Sequence, residues 1–132
     1  MNKIMVVLSV IATMLLSISC EKNPNSTNNS QNPYSGTKWV HSVNSAVGSD
    51  YLLVFQFDNS TFDFYKADQN GNYSMGIATV GYTYSGSQIF FPRTYMGVWA
   101  NCYMTGATIN GSKMTLNYES YGTPKTLVFM KN

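Results

Sequence analysis

The alternation of apolar and polar residues between residues 37 and 130 limits this part of the chain to a β-sheet fold. Apolar side chains recur at every second position in short runs, and turns rich in Asp, Asn, Ser and Gly separate the runs. A period of two places successive side chains on opposite faces of a strand, so one face can be buried while the other meets water. No long segment with a helical period follows residue 20, and the domain is therefore predicted to be all-β.

Eight strands joined by short turns are predicted. Gly76 and Gly81 fall inside the longest of them and are candidates for bulges or a sharp bend. Pro92 ends another strand because its nitrogen cannot donate to a sheet ladder, and Pro92–Gly97 is expected to be irregular. The predicted strands cover residues 37–44, 51–57, 61–66, 73–84, 88–91, 98–109, 112–118 and 126–130.

Asn110 and Gly111 give the strongest short hairpin signal in the chain, because they lie between two alternating strands. With these two residues as the turn, Ile109 would pair with Ser112. The same register turns Leu116 toward the core, and a slip of one residue would expose it.

Sequential antiparallel strands with one apolar face can form a sandwich or a closed up-and-down barrel. Closure removes exposed sheet edges and needs no long crossover connection, and no such connection is visible in the sequence. We therefore predict a single antiparallel up-and-down barrel of eight strands, with room inside for side chains or one small ligand. An outer-membrane barrel is not expected, because several strands are shorter than the roughly 9–11 residues that a membrane-spanning strand needs.

The first 20 residues have the pattern of an export signal that ends at a cysteine. Lys3 supplies positive charge, Ile4–Leu16 is apolar but too short for a stable membrane span, and small residues lead to Cys20. This segment resembles a bacterial lipoprotein precursor, although Ser17 stands where Leu or Val is more usual. The resemblance implies lipidation of Cys20 and anchoring in the outer membrane. The alternative is an ordinary cleaved signal, with Cys20 left as a thiol or paired with Cys102.

Three segments are therefore expected. Residues 1–19 form the signal peptide, and residues 20–35 form a lipidated cysteine with a disordered tether. The tether sequence EKNPNSTNNSQNPYS cannot bury enough apolar surface to offset the entropy of ordering. Residues 36–132 form the barrel domain, which is large enough for its own core and is expected to be a monomer.

The barrel domain resembles the lipocalin-like small lipoproteins of Gram-negative bacteria, with an opening, a second turn and a last strand of similar pattern. In this chain the matching stretches are Gly36–Trp39, Phe57–Phe62 and Thr126–Lys131. True lipocalins have one residue between the Gly and the Trp, and here two intervene. The resemblance implies a lipocalin-like or streptavidin-like barrel that binds a small apolar or amphipathic molecule at its mouth.

The candidate ligand-binding residues are four aromatic side chains and the only arginine. Arg93 could bind a carboxylate or phosphate group, while Tyr95 and Trp99 face an apolar or sugar group. Trp39 would line the barrel interior. Tyr84 opens a stretch that resembles, in part, the inhibitory motif of some lipidated bacterial lysozyme inhibitors. The alternative is that these side chains only pack the core and the loops or stay in solvent.

Nothing in the sequence indicates catalysis, metal binding or nucleic-acid binding. His41 is the only histidine, and no Cys or carboxylate flanks it at ligand spacing. The formal net charge of +2 offers no basic surface for a nucleic acid, and no Gly-x-Ser-x-Gly or phosphate-binding glycine loop is present. We therefore expect a binding protein without a cofactor. It would carry a small apolar ligand, contact a protein such as a foreign hydrolase, or bind a surface glycan.

Overall fold

The computed structural model describes residues 31–132, which form an antiparallel β structure without a helix. Within this range there is accordingly no helix of the length and apolarity required to cross a membrane. The predicted signal peptide, Cys20 and the tether up to residue 30 lie outside the described residues. Tyr34, at the end of the predicted tether, packs against the domain core, and its ring centroid lies 6.5 Å from that of Phe57.

Ten strands are present in this part of the chain. They are β1 (Lys38–Val43), β2 (Tyr51–Phe57), β3 (Thr61–Ala67), β4 (Tyr73–Gly81), β5 (Thr83–Ser85), β6 (Gln88–Phe90), β7 (Thr94–Tyr95), β8 (Cys102–Asn110), β9 (Lys113–Ser120) and β10 (Thr123–Lys131). The all-β class and the antiparallel pairing are confirmed. The count is ten rather than eight, because the predicted strand over residues 73–84 is divided at Tyr82 and because β7 lies in the segment predicted to be irregular.

The strands form one sheet in the order β4-β3-β2-β1-β10-β9-β8-β6-β5, and β7 pairs with β8. The first and last members of this order, β4 and β5, are consecutive in sequence, so the chain itself joins the two ends of the sheet through Tyr82. The sheet is therefore nearly closed into a barrel. One edge of β4 pairs with β3, and the other edge has no strand paired to it among the described residues. We call this unpaired edge the seam.

The segment after β7 lies against this seam. Met96 is fully buried, and a Cβ atom added to Gly97 would lie 2.9 Å from Cγ2 of Ile77 in β4. Phe91, just before β7, packs edge-on against Phe62 with ring centroids 5.0 Å apart. Side-chain packing, instead of a hydrogen-bonded ladder, thus closes this side of the barrel.

Two bulges bend β4. Along β4, the residues that pair with successive residues of β3 pass from Ala78 to Gly76 and from Met75 to Tyr73, so residues 77 and 74 have no partner in the register. An extra residue of this kind increases the local twist and redirects side chains. Gly76, a predicted bulge candidate, lies directly beside the first bulge.

The β8–β9 hairpin has a register different from the predicted one. Asn110 pairs with Lys113, so the two turn residues are Gly111 and Ser112. Gly111 has a φ of +59°, as the first central residue of a type II′ turn requires. Because the error is a shift of two residues, the predicted faces of β9 are unchanged, and Leu116 is fully buried.

A bulge at Thr105 reverses the predicted faces in the first half of β8. Cys102 and Met104 are buried there, whereas uninterrupted alternation would turn Tyr103 and Thr105 toward the core.

Aromatic rings fill the barrel interior around Phe55. Its ring centroid lies 4.6 Å from that of Phe64, 5.0 Å from that of Phe129 and 5.1 Å from that of Phe62. Aromatic pairs in such geometries contribute about 0.5–1.5 kcal/mol each beyond the area that they bury. Among the described residues the core contains no buried polar or charged residue.

Candidate functional site

Trp39, predicted to line a ligand cavity, belongs to the packed core. Its side chain is 1% exposed, and its indole N–H donates to Oγ1 of Thr37 at 2.9 Å. A buried indole normally needs such a partner. Contact between Trp39 and a ligand would require the core to open.

Tyr84 lies in β5, near one end of the barrel. Its ring meets that of Tyr34 edge-on with centroids 5.4 Å apart, and the Tyr34 hydroxyl donates to the carbonyl oxygen of Gly86. These contacts make Tyr84 part of the packing between the β5–β6 turn and the first described residues.

Arg93 and Tyr95 share an exposed cluster with residues of β8 and β9. The Arg93 guanidinium stacks over the Tyr103 ring at 3.7 Å, and its Nη2 lies 3.0 Å from Oε2 of Glu119. The Tyr95 ring lies 5.4 Å from that of Tyr103. Glu119 and Tyr103 thus already engage the guanidinium that was predicted to bind an anion.

Trp99 lies apart from this cluster. It is half-buried and faces Tyr118, with ring centroids 6.2 Å apart. Both rings border an open depression of about 480 Å³ that also contacts Tyr121 and Lys125. Of the five predicted ligand-binding residues, only Arg93 and Tyr95 therefore share one cluster.

His41 and Cys102, the only side chains of their types in the described range, both make packing contacts. His41 Nδ1 lies 2.7 Å from the carbonyl oxygen of Val128, and its ring packs on Phe129. Cys102 is a buried thiol in the core. Within residues 31–132, no group of three or more His, Cys, Asp or Glu side chains could hold a metal ion.

A different site, which was not predicted, lies on the outer face of the sheet. It is a groove of about 640 Å³ over β3 and β4, within the roughly 300–1,000 Å³ that is usual for ligand sites. We call it the β3–β4 groove. Its lining residues are Gln56, Asp63, Phe64, Tyr65, Gly71, Tyr73, Gly76, Ile77, Ala78 and Thr79.

Polar side chains form one row across this groove. Asp63 stands opposite Gln56 on β2 and opposite Thr79 on β4. The Thr79 hydroxyl donates to Oδ1 of Asp63 at 2.6 Å. The Tyr65 hydroxyl donates to Oε1 of Gln56 at a longer 3.3 Å. The row therefore presents a carboxylate and an amide held by neighbouring side chains.

Two tyrosine rings form the adjacent part of the groove, and we call them the tyrosine ledge. The centroids of Tyr65 and Tyr73 are 5.6 Å apart, with an interplanar angle of 43°. A Cβ atom added to Gly76 would lie 2.6 Å from the Tyr73 hydroxyl oxygen. Because Gly76 has no side chain, Tyr73 can lie back along its own strand.

The turn between β3 and β4 closes one end of the groove, where Gly71 contributes to the lining. The Asp68 carboxylate accepts hydrogen bonds from the side-chain amide of Asn72 and from the backbone N–H groups of Asn70 and Asn72. These bonds, that of the Asn72 side chain first, hold the pKa of Asp68 below its ordinary value of 3.8.

The sequence carried only weak signs of this groove. Asp63, Tyr65 and Thr79 occupy outward positions of alternating strands, and outward polar residues usually mark nothing more than a solvated face. A glycine inside a strand beside outward tyrosines was the one available sign, because it can mark a close approach as well as a bulge.

The fold and the groove define an antiparallel, nearly closed barrel with a concave site on its outer face. No protein-family model, no curated protein and no solved structure matches the chain. The function is accordingly inferred from the described residues and from the amino-acid sequence of residues 1–30.

Proposed function

We propose that this chain is a lipid-anchored binding protein of the bacterial cell envelope, and that it binds its ligand on the outer face of the barrel. One contrast carries this proposal. The interior around Phe55 is packed with rings, whereas the β3–β4 groove is open and combines rings with polar side chains. Sites of this composition are typical of ligand binding.

A lipocalin-like barrel of eight strand positions is part of the same proposal. β4 and β5 can count as one strand bent at Tyr82. β6 and β7 can count as a second interrupted strand, because Ile89 pairs with Ala107 and Thr94 with Met104 along the same strand β8. If each of these two pairs is counted as one interrupted strand, the ten strands correspond to eight strands of a barrel.

Lipid anchoring is tested by Cys20→Ala in the full-length chain. We expect the wild-type protein in the membrane fraction and the variant in the soluble envelope fraction, because only acyl chains would hold the barrel at the membrane. Labelling with a fatty-acid analogue should mark the wild type alone. Retention of the unlabelled variant in the membrane fraction would overturn the anchoring proposal.

Outer-face binding is tested by native mass spectrometry of the full chain, released from a detergent without sugar headgroups. We expect the mass of the lipidated chain with no apolar molecule retained, because Phe55 and its neighbours occupy the interior. A stoichiometric apolar ligand that organic solvent releases would instead support the carrier function and overturn outer-face binding.

One observation favours a second candidate, which is contact with a protein such as a foreign hydrolase. The side chain of Arg93 is 54% exposed and Tyr95 is 50% exposed, and arginine and tyrosine are enriched among residues that dominate protein interfaces. Arg93→Ala should leave the melting temperature nearly unchanged, since exposed ion pairs contribute little stability. Loss of lysozyme inhibition in that folded variant would support this candidate, and no inhibition by the wild type would exclude a lysozyme as the partner.

A further inference from the structure

We propose that the β3–β4 groove binds a neutral oligosaccharide. The tyrosine ledge would carry the apolar face of a sugar ring, and Asp63 and Gln56 would hydrogen-bond its hydroxyl groups. This inference rests on the proposed function and names the ligand class of the same outer-face site.

The arrangement of the two tyrosine rings favours a sugar over a cation. A cation cage needs rings that surround an ammonium group. Tyr65 and Tyr73 instead contact each other, with centroids 5.6 Å apart, so no gap for an ammonium group lies between them. Their exposed surface suits the C–H face of a pyranose ring, which packs on aromatic rings as other apolar groups do.

The charge of the groove disfavours anions. Asp63 is its one ionisable carboxylate, and its lining includes no Lys, Arg or His. A phosphate or a carboxylate would meet repulsion from Asp63 without a compensating cation. Sugar hydroxyls fit this lining because they donate to acceptors, and a carboxylate offers up to about four acceptor positions.

The polar groups are held in position before any ligand arrives. Thr79 donates to one oxygen of Asp63, and no hydrogen bond between described residues engages the other oxygen, Oδ2. Tyr65 orients Gln56 through its hydroxyl. Side chains held in this way lose little entropy on binding, which raises affinity for a weakly bound ligand.

The dimensions of the groove fit more than one sugar ring. Its volume of about 640 Å³ and its open shape along β3 and β4 would accommodate about two or three sugar units. The groove ends at the β3–β4 turn, where Gly71 contributes backbone without a side chain. We therefore expect trisaccharides to bind more tightly than monosaccharides.

The test is a titration of the ¹⁵N-labelled full chain, in a detergent without sugar headgroups, followed by NMR. The probes are maltotriose, cellotriose, chitotriose and, as the cation, choline. We expect at least one trisaccharide to shift the amide signals of Tyr65, Gly76 and Thr79, with a Kd on the order of 1 mM, or about −4 kcal/mol. Choline should leave these signals in place.

Two variants and one matched control locate the site. Asp63→Asn removes the charge of the acceptor and should weaken binding about tenfold. Gly76→Ala pushes the Tyr73 hydroxyl off its position and should weaken binding by a similar factor. Gly81→Ala serves as the control. It lies on the same strand outside the groove, and its added Cβ would meet only the Ser60 carbonyl oxygen at 3.9 Å.

The outcomes separate this inference from the proposed function. Absence of any shift at about 50 mM of every trisaccharide, far above a Kd of that order, would overturn the saccharide inference while leaving outer-face binding intact. The saccharide inference would also be overturned if choline shifted the groove signals, or if both groove variants bound like the control. An apolar ligand retained in the interior, detected by native mass spectrometry, is the separate outcome that would overturn outer-face binding.

Discussion

At the scale of single residues, the turn between β9 and β10 contains a conflict between side chain and backbone. Tyr121 and Gly122 have φ values of +51° and +76°, the conformation of a type I′ turn, which favours Asn-Gly. A tyrosine with positive φ is strained, and because Tyr121 is 73% exposed, packing of its side chain contributes little to offset the strain. Tyr121→Asn should stabilise the domain by about 1 kcal/mol, measured as a higher midpoint of urea unfolding.

Tyr121→Ala distinguishes the backbone effect from loss of the exposed ring. Alanine removes the ring without gaining asparagine's tolerance of the left-handed region, and we expect no stabilisation. Equal gains from Ala and Asn would mean that the ring itself destabilises the protein, and the strain explanation would be wrong. Asn101, which has a φ of +53°, already carries the residue type that this explanation favours.

At the scale of elements, the β3–β4 turn should make stability depend on acid pH. The pKa of Asp68 is lowered in the folded state, so the unfolded chain binds the proton more readily. The contribution of Asp68 is therefore complete above the unfolded value of about 3.8 and is lost as pH falls through the lower folded pKa. Thermal melts between neutral pH and pH of about 2 should show this loss in the wild type.

Asn72→Ala provides the comparison, because it removes the largest cause of the lowered pKa while the Asp68 carboxylate remains. We expect this variant to be less stable at neutral pH and to lose less stability on acidification. Asp68→Asn, which cannot ionise, should show the same flattening. Acid melts that fall as steeply in both variants as in the wild type would contradict the role of this turn.

The strands show how far alternation determines structure. It placed inward and outward residues correctly in β9 and in the half of β8 next to the turn. It missed the turn itself, because a shift of two residues leaves the alternation unchanged, and it could not place the bulge at Thr105. The position of the turn is instead set by Gly111, which can adopt the positive φ that the first central residue of the turn requires. The alternation of side chains also continues through Tyr82. The sequence therefore predicted one strand with a bend near Gly81, and it did not predict that the strand ends there and a new one begins after Tyr82.

The candidate site depended on contacts that no local pattern contains. Arg93 was recognisable as an exposed cation, but its partner Glu119 lies on β9, whereas Arg93 precedes β7. Tyr73 reaches Tyr65 only because two bulges bend β4 and because Gly76 leaves room. Residue types could be predicted to be exposed, whereas their grouping into a groove required the tertiary register.

At the scale of the whole molecule, the barrel depends on packing where its ladder is interrupted. β4 pairs only with β3 among the described strands, and Gly97 lies against Ile77 at this seam. Gly97 has a φ of +68°. Gly97→Ala would thus add backbone strain of about 1 kcal/mol and an overpacking cost of about 1–3 kcal/mol. We expect a loss of about 2–4 kcal/mol, measured by urea unfolding.

Two further variants show whether the seam contact causes this loss. Gly86→Ala has a similar φ of +55° with no atom within 4 Å of the added Cβ, so it reports the backbone cost alone. Ile77→Ala removes the methyl group that the new Cβ would meet. If the seam is closed by this contact, the double variant Gly97→Ala/Ile77→Ala should lose about 1 kcal/mol less than the sum of the single losses. Strict additivity, or equal losses at Gly86 and Gly97, would mean that the seam tolerates an added side chain and that the contact does not close the barrel.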